Sequence, residues 1–90
     1  MKINKMKNSI LDDIIESFPD EDILKADGFD KAVIGIELDT MRLIYSKLKC
    51  IEVLMLTADL SYDVAIEFLD FNVFGSYVGE LTPIWCDDTL

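Results

Sequence analysis

The apolar residues of this chain change period along its length, and the changes mark out its elements. Ile10, Leu11, Ile14, Ile15 and Phe18 fall at i, i+1, i+4, i+5 and i+8, the spacing of one helical face, so a helix is expected over about 9–18. Asn8 or Ser9 can cap it, and Asp12 and Asp13 place negative charge in its first turn, where the helix dipole favours it. Pro19 ends it. Asp20-Glu21-Asp22 then opens a short acidic segment with Ile23 and Leu24, read as one helical turn, and Asp27-Gly28 breaks the chain.

The period becomes two from Ala32 to Leu38, with Ile34, Ile36 and Leu38 on one face, and again from Met41 to Tyr45, where Met41, Leu43 and Tyr45 alternate. The short link around Asp39-Thr40 makes these an antiparallel hairpin, although Asp-Thr is not the best two-residue turn and a longer loop is open to it. At Ser46 the period returns to that of a helix. Ser46 caps a helix over about 47–57 whose Leu48, Ile51, Leu54 and Met55 lie together. Because Val53-Leu54-Met55-Leu56 is apolar nearly all round, this reads as the core helix. Ser61 caps another over about 62–71, with Val64, Ala65, Phe68, Leu69 and Phe71 expected inside and Asp63, Glu67 and Asp70 outside. The link Ala58-Asp59-Leu60 forces an αα-hairpin. Asn72 and Gly75 can stop the last helix in left-handed geometry, Gly79 can make a tight turn, and residues 82–86 read as a short strand, with Pro83 placing it at an edge or at a strand start. The expected fold is α+β: a small antiparallel sheet, hairpin plus C-terminal strand, covered by an αα-hairpin, with an extra N-terminal helix. It is one domain over 1–90, with a flexible arm at 1–7 and a helical segment at 8–26.

Charge narrows the functions open to such a domain. The net charge is −10, distributed as +3 over residues 1–7, −7 over 8–30, +2 over 31–49 and −8 over 50–90, the last stretch without a single Lys or Arg. Direct binding of DNA or RNA is not expected, because phosphate contacts need a basic footprint. No apolar run approaches the ~18 residues that span a membrane, and acids interrupt the N-terminal apolar stretch a signal peptide would need, so a cytosolic location with reduced thiols is expected. Half of the residues are hydrophobic (51%), enough to leave some for an interface, so a homo-oligomer is one expectation.

Candidate chemistry is sparse. The chain has no histidine, and its two cysteines, Cys50 and Cys86, supply at most half of a tetrahedral thiolate site. The acids between Asp20 and Asp30 lack the spacing of a Ca²⁺ loop, and Gly75-x-x-x-Gly79 lacks the ending of a phosphate loop. No catalytic residue, cofactor or metal is therefore expected. The run from Phe71 to Trp85 admits two readings. In one, Tyr77 and Trp85 are core aromatics with their polar atoms bonded at the rim. In the other, Asn72, Tyr77, Glu80, Thr82 and Trp85 form an acidic, aromatic contact surface held by Gly75 and Gly79, Tyr and Trp being common interface anchors. The further contact residues expected are Asp12, Asp13, Glu16, Asp20, Glu21, Asp22, Glu67 and Asp70, since segments 8–30 and 50–90 hold sixteen of the eighteen acids.

Several runs carry a resemblance: Gly28-Phe29-Asp30, Ala32-Val33-Ile34-Gly35, Met41 to Ser46, Cys50 to Met55, Asp63 to Asn72 and, most specifically, Gly75-Ser76-Tyr77-Val78-Gly79-Glu80-Leu81-Thr82-Pro83-Ile84. Residues 27–86 resemble a family of small uncharacterised proteins of tailed bacteriophages. The resemblance implies a phage origin and a shared fold, and no mechanism. It leaves the first 26 residues outside as the place for a protein-specific function. With it, the composition leads to an expectation of a non-enzymatic phage accessory protein that binds and inhibits, or redirects, a host protein with a basic surface, such as a nuclease or defence complex, by imitating nucleic-acid charge. The alternative expectation is a self-assembling protein that sequesters a small ligand near Asn72, Tyr77 or Trp85.

Overall fold

The computed structural model describes residues 9–90; the arm expected at 1–7 and the alternative cap Asn8 lie outside them. Three helices and three strands follow in the order α1 (Ile10–Ser17), β1 (Val33–Glu37), β2 (Arg42–Ser46), α2 (Lys47–Thr57), α3 (Tyr62–Asn72) and β3 (Ile84–Cys86), with one 3-10 turn at Asp30–Ala32 ahead of β1. The class is α+β. Ser9 starts α1 with a reciprocal cap: the Asp12 N–H donates to Ser9 Oγ at 3.1 Å, and the Ser9 N–H donates to the Asp12 carboxylate at 3.4 Å. Eight residues give α1 room for one narrow apolar stripe. Leu11 and Ile14 are buried and Phe18 packs beside them, whereas Ile10 and Ile15, expected on the same face, are exposed. The acidic segment beyond Pro19 forms a turn, a bend and irregular chain instead of a helical turn.

A bulge corrects the expected inward face of the first strand. The pairing of β1 with β2 is antiparallel but slips between Val33 and Gly35, so that Val33 opposes Tyr45 and Ile36 opposes Leu43. The extra residue lets Val33 and Ile36, three apart, both meet the core. Leu38 falls into a four-residue link, 38–41, and is 70% exposed. The link is tied by the Glu37 carboxylate, which accepts the N–H groups of Asp39 and Thr40 at 3.0 and 2.7 Å, and Met41 turns the corner in the left-handed region at φ 57°.

The sheet is mixed, not antiparallel throughout. β3 runs parallel to β2, with Ile44 opposite Ile84 and Ser46 opposite Cys86, and the strand order is β1-β2-β3. Parallel neighbours need a long crossover; here α2, α3 and the segment 73–83 provide it. Pro83 precedes β3 at the sheet's edge, where a missing N–H costs no ladder bond.

Val33, Leu43, Tyr45, Ile51 and Leu69 form the centre of one core. Ser46 caps α2 as the sequence implies, accepting the Lys49 N–H at 3.0 Å, but only Cys50, Ile51 and Leu54 are buried. Leu48 and Met55, expected beside them, are exposed, so α2 is not enclosed all round. On α3 only Ala65 and Leu69 are buried. This helix packs chiefly against α2 and scarcely against the sheet, and a contact between two helices covers a narrower stripe than a helix laid on a sheet. It ends with the N–H groups of Val73 and Phe74 both donating to Leu69 O, and neither Asn72 nor Gly75 is left-handed. Gly79, at φ 111°, does make the expected tight turn.

Candidate functional site

The outer side of α3 carries two parallel rows. Val64, Phe68 and Phe71 stand at i, i+4 and i+7, and Asp63, Glu67 and Asp70 repeat the same spacing one residue earlier. A shift of one residue turns about 100° around a helix, so the carboxylate row borders the apolar row along two turns. The sequence places Val64, Phe68 and Phe71 in the core; the structure leaves them 47%, 42% and 85% exposed. That spacing shared with the acids was the available signal for a surface stripe, and burial alone separates it from a core face.

Among the described residues few acids are ion-paired. Two ion pairs join described residues, Lys25 to Asp30 at 3.1 Å and Lys47 to Asp87 at 3.8 Å. None of Glu16, Asp20, Glu21, Asp22, Asp63, Glu67, Asp70 and Glu80 pairs with a described cation, and all are exposed. Asp12 is engaged in the α1 cap, with Asp13 beside it in the first turn. The structure does not gather the expected acids into one cluster: those of α1 and its following turn stand with a helix that packs on β1, and those of α3 with a helix that packs on α2.

The run from Phe71 to Trp85 divides between the two readings. Trp85 is half-buried, its ring 5.0 Å from that of Tyr45 and 5.1 Å from that of Phe74. Tyr45 in turn accepts the Ala26 N–H on its hydroxyl at 2.8 Å. Trp85 is therefore a structural aromatic. Tyr77, 76% exposed, is not. Thr82 holds the segment together. Its carbonyl accepts from Arg42 Nε at 2.6 Å, its hydroxyl accepts the Val78 N–H at 2.9 Å, and that hydroxyl donates to Gly79 O at 2.6 Å. Asn72, Thr82 and Trp85 border an open cleft of about 330 Å³ whose lining also includes Leu24, Lys25, Asp27 and Pro83, while Tyr77 and Glu80 stand outside it. Trp85 Nε1–H is buried with no acceptor among the described residues, although its expected place was a bonded one at the rim. Asn72 is exposed and donates to Phe68 O at 3.1 Å.

The shifted acidities are structural. Thr40 and the adjacent backbone N–H groups hold the Glu37 carboxyl below its ordinary range, Thr89 does so for Asp87, and Ser46 with the Leu48 N–H does so for Asp88. Burial pushes the Cys50 thiol up to about 12. No group of three or more Cys, Asp or Glu among the described residues is placed to hold a metal ion. No described helix is long and apolar enough to cross a membrane. No protein-family model, curated protein or solved structure matches this chain.

Proposed function

We propose that this chain is a non-enzymatic accessory protein of a tailed bacteriophage. It works in the cytoplasm of the infected bacterium, where it binds a host protein through that protein's basic surface and inhibits or redirects it. A nuclease or defence complex that grips nucleic acid in a basic groove is the target class its charge suits. The observation that carries this reading is the unneutralised carboxylate surface: a net charge of −10 with two ion pairs between described residues. Duplex DNA presents roughly one charge per 1.7 Å of axis, and a groove built for it attracts a dense array of carboxylates by the same field. Such a complex forms fast and depends steeply on salt. The test is to identify the host proteins retained by the immobilised chain at low salt and released at high salt, then to measure association rate against ionic strength. A flat dependence, or full binding after charge reversal at Asp20, Glu21, Asp22, Glu67 and Asp70, rejects the reading.

A second reading, a self-assembling protein that sequesters a small ligand, is favoured by the cleft beside Asn72 and Trp85. Trp85 is the sole tryptophan, so its fluorescence reports on that cleft. A monomer whose emission is unmoved by fractionated host metabolites rejects this reading.

A further inference from the structure

We infer that the exposed face of α3 is a docking surface for a basic amphipathic helix of the partner. The inference rests on the protein-binding reading above and names the structure recognised. Val64, Phe68 and Phe71 stand in a row over two turns, about 10 Å of helix axis, and are 47%, 42% and 85% exposed. An apolar row of that length and spacing matches the i, i+3/i+4, i+7 anchors by which one helix lies against another. An extended peptide gains its affinity from an open strand edge, and α3 offers no free ladder of backbone groups.

Charge selects the sign of the partner. Asp63, Glu67 and Asp70 run alongside the apolar row, none pairs with a described cation, and no Lys or Arg occurs anywhere from Cys50 to Leu90. A helix with an apolar stripe flanked by Lys or Arg satisfies both rows at once, and its cations also meet the faces of Phe68 and Phe71. Nucleic acid and anionic lipid surfaces are repelled by the same carboxylates. A second copy of the chain would bring an identical acidic row against this one, a like-charge contact with nothing on α3 to offset it.

The experiment uses the full chain and three synthetic probes: a peptide of about 18 residues with Leu on one helical face and Lys and Arg on the other, a scramble of the same composition, and oligolysine of equal charge. The amphipathic peptide is expected to bind with a dissociation constant of about 10 μM or below, at least tenfold tighter than either comparator, and to shift the amide resonances of α3. Phe71→Ser, at the most exposed position, is expected to weaken it about tenfold or more with unchanged melting, and Phe68→Ser/Phe71→Ser to weaken it further. Asp63→Asn/Glu67→Gln/Asp70→Asn is expected to slow association and flatten its salt dependence. Equal binding of all three probes overturns the helix-docking inference while leaving an acidic binding surface in place. Binding that survives the α3 substitutions moves the site elsewhere and likewise overturns it. Self-association abolished by Phe71→Ser assigns the face to a second copy instead. Failure of every basic probe at low salt overturns both this inference and the reading beneath it.

Discussion

Cys50 and Cys86 carry the same thiol in different surroundings. Cys50 is fully buried on α2, and desolvation, with a smaller contribution from Asp88, raises its thiol to about 12. Cys86 is half-buried on the edge strand β3. The thiolate is the reactive form, so a buried neutral thiol is inert until the chain opens. An aromatic disulfide reagent at pH 8 is therefore expected to label Cys86 first, and Cys50 only at the rate of unfolding. Two fast equivalents in the native protein would remove Cys50 from the core. The sign of the pH effect follows from the direction of the shift. Below an unfolded pKa near 9.0 both states hold the proton; above it the unfolded chain alone loses one, so this thiol's contribution to stability falls as pH rises from about 9 toward 12.

At the scale of elements, the start of α2 depends on a residue distant in sequence. Ser46 Oγ accepts the Lys49 N–H, while the Asp88 carboxylate accepts the Leu48 N–H at 2.9 Å and the Ser46 hydroxyl at 2.5 Å. Two of the unpaired N–H groups at the N-terminus of α2 are thus met, and the C-terminal segment is fastened to the helix. Ser46→Ala is expected to cost about 1–2 kcal/mol in denaturant unfolding. Asp88→Ala should lower the melting temperature, and the double variant should cost less than the two single effects together. Strict additivity would show that the two side chains act independently. Ser46 and the Leu48 N–H hold the Asp88 carboxyl below 3.8, so its contribution is present above that value and disappears as pH falls through the lower, folded pKa. The gap between wild type and Asp88→Ala should close in that acid range. Nothing local in the sequence pointed to Asp88. By contrast, Ser9, Ser46 and Ser61 mark three helix starts because a cap is a three-residue interaction. Alternation alone gives the wrong β1 face because it does not register a bulge, and the direction of β3 depends on how the 73–83 segment returns the chain. Position and helical period place Asp12 and Asp13 on α1 and Glu67 and Asp70 on the outer side of α3; the exposure of Phe68 and Phe71 beside them follows from packing and not from the period.

The whole molecule holds its charge against its own repulsion. A net charge of −10 is spread over a small domain with two ion pairs between described residues. At low ionic strength carboxylates tens of ångströms apart still interact, whereas at physiological salt the Debye length is about 8 Å and most of that interaction is screened. Folding concentrates the charges, so screening favours the folded state. The melting temperature at pH 7 is therefore expected to rise between about 10 and 500 mM NaCl by about 4–8 °C, the equivalent of about 1 kcal/mol for a domain of this size. Glu67→Gln/Asp70→Asn, on an exposed helix face, should raise the low-salt melting temperature and reduce its response to salt. This separates screening of these carboxylates from a general salting effect on apolar burial, which would be unchanged in the variant. A melting temperature that is flat or falls with NaCl would mean that the carboxylates are already held in favourable contacts. The molecule would then have no unspent negative field to offer a basic partner, and the acidic surface would lose its claim to be a binding site.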